Sequence, residues 1–93
     1  VRTFYHQVPK HELKTWPEPF DSVAEGKKTY ELRVNDRGFQ SGDLLLLRRY
    51  DPMTRRYTGR ELSARIGYIT IGGEWGLPAG LCVFSLLDVK EES

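Results

Sequence analysis

The stretch Gly26-Lys27-Lys28-Thr29-Tyr30-Glu31-Leu32-Arg33 packs an ammonium, a hydroxyl, a carboxylate and a guanidinium into a few residues. Strand side chains alternate between faces, so Thr29, Glu31 and Arg33 share one face while Tyr30, Leu32 and Val34 share the other. The first face is charged and the second apolar. Two strand rises separate Glu31 from Arg33 by roughly 7 Å, which their long side chains can bridge. Two readings follow. One is an ion pair on an outer face, which contributes little when exposed. The other is a binding site: a carboxylate accepts from the exocyclic amine of cytosine or adenine, and an arginine holds phosphate bidentately. A lysine ammonium adds three donors for phosphate or base oxygens. In an enzyme, Lys28 would polarise the substrate, Glu31 would act as acid and base, and Thr29 would be the nucleophile. Lys28 also suits the carbonyl end of a preceding helix. Its neighbour Lys27 reads as solvated.

A second cationic group follows. Arg48, Arg49, Arg55, Arg56, Arg60 and Arg65 face only Asp51 and Glu61, a local excess of +4, with Tyr50 and Tyr57 interleaved. Arginines beside aromatic faces suit single-stranded RNA. They equally suit a solvated hairpin whose charges block edge pairing. Arg48 and Arg49 are neighbours and point opposite ways, so the six do not form one patch. Arg37 lies in the loop beyond Arg33. Trp75, flanked by a glycine-rich run, reads as an exposed stacking platform or a lid, whereas Trp16 and Phe39 default to the core. The set of nucleic-acid contacts expected is therefore Lys28, Glu31, Arg33, Arg37, Arg48, Arg55, Arg56 and Trp75. His6, His11 and Cys82 lack metal-ligand spacing, and no phosphate-cradling loop or dinucleotide fingerprint is present, so no metal or cofactor is expected.

These residues must be positioned by a small fold. The chain has 93 residues, 14 Lys+Arg against 13 Asp+Glu, and a net charge of +1, so its partners cannot be read from overall charge. The single Cys82 excludes an internal disulfide, and no apolar run reaches the ~20 residues that span a bilayer. The N-terminus shows no signal-peptide core. Together these predict a cytoplasmic protein without a membrane partner; nothing here bears on oligomeric state. Residues 1–10 read as an arm, 11–90 as one domain and 91–93 as a frayed tail.

The order of elements reads as follows. His11–Trp16 predicts a short strand. Pro17–Glu25 predicts a helix, with Thr15 as its cap, prolines in its first turn, an apolar face of Phe20, Val23 and Ala24, and Gly26 as its stop. Lys28–Val34 is a strand and 35–42 a turn-rich loop. The four leucines of Leu44–Leu47 suit a strand buried on both faces or at a barrel seam. Asp51-Pro52-Met53-Thr54 turns this strand into another that runs to about Ile71, forming a long hairpin. A loop with four glycines precedes a last strand, Leu81–Val89, apolar on both faces except at Ser85 and expected to be central or barrel-closing. About five strands and one helix predict an α+β domain built on a small, mostly antiparallel β-barrel, with the short helix beside a cleft.

Gly26, Lys28, Glu31 and Arg33 match the G-x-K-x-x-E-x-R signature of the ASCH domain family in the PUA-like superfamily. His11–Pro17, Asn35-Asp36-Arg37, Phe39, Gly42-Asp43 and Thr58-Gly59-Arg60 resemble a bacterial and phage subgroup of ASCH-like domains, so the resemblance runs from His11 to about Val89. It implies a PUA-like barrel whose signature lines a cleft, and RNA or a single-stranded or modified nucleotide as the partner. Some members of the family are hydrolases of modified nucleosides that use a lysine and a nearby threonine. Their lysine falls on Lys28, but Glu31 stands where they carry threonine, and Thr29 is two residues away. The resemblance therefore favours binding over hydrolysis. A small hydrolase on a modified nucleoside or RNA is the alternative. A protein-interaction module in a phage or bacterial regulatory system is a third.

Overall fold

A computed structural model describes residues 10–92; most of the expected N-terminal arm, and His6 with it, lies outside the described residues, as does Ser93. The elements are β1 (Lys10–Thr15), α1 (Pro17–Ala24), β2 (Tyr30–Val34), β3 (Leu44–Asp51), β4 (Arg56–Ile71) and β5 (Leu81–Glu92). The prolines at the start of α1 occupy positions whose amides lack helical acceptors. Phe20 and Val23 point into the core. Thr15 is not the cap. It lies buried in β1, where its hydroxyl donates to the Leu13 carbonyl, and Trp16 takes the N-cap position without a side-chain bond. Gly26 ends the helix at φ +79, a conformation that a Cβ would strain. The amides of Lys27 and Lys28 then both donate to the Ser22 carbonyl, and this places Lys28 just ahead of β2.

The five strands form one curled sheet in the order β1-β3-β4-β5-β2, with β1 parallel to β3 and every other pair antiparallel. The hairpin of β3 and β4 forms as expected, and β5 is central, between β4 and β2. Leu13, Phe20, Leu45, Leu47, Leu62 and Phe84 fill the concave side. The leucine run is not buried on both faces: Leu45 and Leu47 enter the core, Leu46 is half-buried and Leu44 is exposed. Nor does the expected tail fray at Glu91. β5 continues to Glu92, held by Arg60 on Glu91 at 2.8 Å and by the Ser63 hydroxyl on Glu92 at 2.8 Å.

The sheet is open, not a closed barrel, because β1 and β2 share no ladder. Side chains span the gap instead. Arg33 donates to the Lys14 carbonyl at 3.2 Å, and Arg37 donates to the Glu12 carbonyl at 2.7 Å. These two carbonyls belong to alternate residues of the free edge of β1, so the guanidiniums satisfy groups that would otherwise present a template for strand pairing. Following the pairings round the sheet makes β1 and β2 antiparallel across the gap, consistent with Arg33 and Arg37 reaching Lys14 and Glu12 in reverse order.

Candidate functional site

β2 alternates as expected, but its polarity is reversed relative to the core. Glu31 is 2% exposed and faces inward, while Leu32 is 52% exposed on the outer side. The inner face of this edge strand looks into the gap between β2 and β1, where cations can reach a carboxylate. Glu31 Oε2 accepts from Lys28 Nζ at 2.8 Å, and Oε1 accepts from Arg33 Nε at 2.9 Å. A carboxylate buried this deeply is tolerated only when paired and hydrogen-bonded. Both conditions are met.

An open cleft of about 440 Å³ sits over this cluster. Its walls come from both sheet edges: Lys14, Thr15 and Trp16 from β1 and the turn after it, and Lys28, Tyr30 and Arg33 from β2 and its entry, with Glu31 at its base. Trp16 (57% exposed) and Tyr30 (48% exposed) present aromatic surface at its rim. Lys28 gives two of its three donors to Glu31 and to the Tyr30 carbonyl. Arg33 gives three of its five to Glu31, Lys14 and the Thr15 hydroxyl. Donors are thus left over on both cations, while each Glu31 oxygen already has one. Two cations thus face one anion, while the Lys14 ammonium is turned over the Tyr50 ring, 4.3 Å from its centroid, and only its carbonyl joins the cluster. The cleft is matched to a ligand rich in acceptor oxygens.

The expected site residues divide. Lys28, Glu31 and Arg33 converge. Arg37 lines a smaller cavity of about 170 Å³ that shares Arg33 with the cleft. Thr29 precedes β2, is exposed and does not line the cleft. Arg48 is held by Glu61 at 3.1 Å and covers the Tyr57 ring at 3.9 Å. Arg55 and Arg56 are exposed at the hairpin turn, with no ion-pair partner among the described residues. Trp75 is 92% exposed and lines a separate cavity that shares no residue with the cleft. Sequence reasoning missed Lys14, Thr15, Pro19, Tyr30 and Leu32 as cleft residues and assigned Trp16 to the core. Tyr30 lies two residues from Lys28, but nothing in the spacing of Lys14, Thr15, Trp16 and Pro19 links them to it. The parallel pairing of β1 with β3 brings them there.

Much of the arginine excess on the hairpin is neutralised at a distance. Arg49 binds Asp21 of α1 through two bonds of 2.9 and 3.1 Å, and this hydrogen bonding lowers the Asp21 pKa below its ordinary 3.8 and raises that of Arg49. Arg60 does the same to Glu91, whose pKa is lowered chiefly by that hydrogen bond. Cys82 lies fully buried beneath the sheet, and desolvation pushes its thiol pKa up. Phe39 joins the core, its ring against that of Phe84, while His11 bonds Asp43 at 2.8 Å. Among the described residues no helix is long and apolar enough to cross a membrane.

Comparison with known proteins agrees with the extent of this fold. A 65-residue stretch is 40% identical to the "Uncharacterized 12.9 kDa protein in GpA 3'region" of Escherichia phage P2. The match takes in 70% of this chain and 58% of the phage protein, so the chain spans less than two thirds of that relative. Residues 10–86, which run from the first residue of β1 into β5 and contain the whole cleft, match the family described as Domain of unknown function (DUF3850). The chain belongs to that family.

Proposed function

We propose that the protein is a binding module of PUA-like, ASCH type whose cleft holds a nucleotide or a short single-stranded piece of RNA. The observation that carries this reading is the surplus of donors around a carboxylate that is already satisfied: Lys28 and Arg33 keep free N–H groups in an open cleft of about 440 Å³. Phosphate and base carbonyl oxygens are the acceptors that fit. Trp16 and Tyr30 at the rim supply the stacking surface that unpaired bases use. The volume lies in the range of small-molecule sites, ~300–1,000 Å³. Glu31 acts here as an anchor that fixes the two cations. Thr29, the nucleophile of a hydrolase reading, stands outside the cleft, which favours binding over turnover.

Fluorescence anisotropy with a labelled oligoribonucleotide, competed by mononucleotides, tests the proposal. For two or three phosphate contacts, affinity should fall about 7- to 20-fold between 50 and 200 mM salt. Lys28→Ala should weaken binding about tenfold, as expected for the loss of a charge-assisted bond. Arg55→Ala and Arg56→Ala, far along the hairpin, should leave it within about twofold. Absence of binding, or equal affinity at both salt concentrations, would overturn the reading.

A further inference from the structure

The loop joining β4 to β5 holds Trp75 in an unusual state. Its φ is +52, a conformation that a bulky residue rarely adopts, and its side chain is 92% exposed. The loop around it is well bonded: Gly73 N–H donates to the Leu77 carbonyl at 2.7 Å, and Leu77 N–H donates to the Glu74 carbonyl at 2.8 Å. These bonds hold the strained backbone in place while the indole it presents meets water. Strain held in place by the surrounding structure marks functional positions.

Trp75 stands beside a cavity of about 520 Å³ that it lines together with Leu77, Pro78, Thr70 and Val83. Val83 is opposite Thr70 on one side and Leu32 on the other, so this cavity continues into the outer face of β2. Tyr68 lies on the same face. An extra residue between Ile66 and Ile69 puts Gly67 and Tyr68 together opposite the outward Ser85, and Ser85 Oγ accepts from Tyr68 N–H at 2.8 Å. Any Cβ at Gly67 would come within 2.5 Å of that oxygen, and Tyr68 is turned out, 76% exposed. Trp75, Tyr68, Tyr30, Leu32 and Val34 together offer on the order of 600 Å² of largely apolar surface, at the upper end for a monomer.

We infer that this face is a homodimer interface, with a second copy docking about a two-fold axis so that the Trp75 of each copy enters the cavity of the other. A two-fold contact uses the same patch on both copies and so requires projection and recess side by side on one surface. Trp75 and its cavity meet that requirement. Charge selects the same occupant. Among the described residues Glu74 is the one charged residue lining the cavity, and its Oε1 accepts from the Ile71 amide at 3.1 Å. A cavity with so little charge offers no complement to a strongly acidic or basic partner, yet meets its own copy without repulsion. The area approaches the ~800 Å² per partner of a standard interface. The patch meets the cationic cleft at Tyr30 and Leu32, which line both, whereas Trp75 and its cavity share no residue with the cleft, so substitutions at Trp75 and Tyr68 test the dimer apart from the nucleotide reading.

Sedimentation velocity of the full chain across about 1 to 200 µM should show a monomer passing to a dimer. Trp75→Gly should weaken dimerisation at least about tenfold, while its melting temperature holds or rises, because glycine accepts a positive φ without strain. Tyr68→Asp should weaken it similarly by placing like charges across the axis. Tryptophan emission should shift to the blue as the wild-type concentration rises, and not in Trp75→Gly. A monomer throughout the series, or a dimer indifferent to both substitutions, would overturn the inference.

Discussion

The two faces of β2 are built to opposite rules. The inner face buries a carboxylate, Glu31, between two cations; the outer face leaves Tyr30, Leu32 and Val34 in contact with solvent. In most half-buried strands the apolar side turns inward. Here the inner side looks across an open sheet edge, where no apolar neighbour waits but the Lys14 carbonyl and the Thr15 hydroxyl do. The edge is closed by guanidiniums, and the charged row is what supplies them. The lesson is that burial follows the available partners, and an apolar stripe left outside is then free to meet another surface.

That contrast can be tested from its strongest consequence to its weakest. Glu31→Ala leaves Lys28 and Arg33 half-buried without a counter-charge, and should cost about 3 kcal/mol. By thermal melting this is a fall of roughly 12–24 °C for a domain of this size. Arg33→Lys keeps the charge but not the planar fork that reaches Glu31, Lys14 and Thr15 together. It should cost about 1–2 kcal/mol, and hydrogen exchange in β1 should quicken more than in β4. Equal acceleration in both strands would mean that Arg33 does not hold the edge. Asp21→Asn removes an ion pair whose carboxylate is more than a third exposed, so after screening its cost should be about 0.5 kcal/mol near neutral pH. The folded Asp21 pKa is lowered, so its contribution is present above the ordinary 3.8 and is lost as pH falls through the lower folded value. The two melting temperatures should therefore converge in acid. Leu32→Ser, on the outer face, should change stability by less than about 0.5 kcal/mol. A loss matching that of Glu31→Ala would erase the distinction between the faces.

Local chemistry made much of the framework legible. Pro17, Pro19 and Gly26 bracket α1 because their backbone limits act within a few residues. The Asp51-Pro52 turn and the alternation along Leu62, Ala64 and Ile66 announce the hairpin of β3 and β4. Glu31 and Arg33 were legible as a pair because their spacing along one strand puts them on one face; Lys28 lies ahead of β2, out of step with that alternation, and the turn at Gly26 brings it to Glu31. The extension of β5 to Glu92 was not, since polar residues read as a tail until Arg60 and Ser63 hold them from the neighbouring strand. Trp16 reads as core by residue type, yet the turn between β1 and α1 leaves it at the cleft rim.

By itself, then, the amino-acid order determined where the helix stops, that β2 alternates, and which of its residues carry charge, because each depends on near neighbours in the chain. Tertiary structure decided which face of β2 turns inward, that the sheet stays open, and that Lys14, Thr15 and Trp16 stand opposite Lys28 and Arg33. Those outcomes depend on β1 and β2 becoming facing edges of one sheet, with the partners for a buried carboxylate supplied from residues distant in the chain.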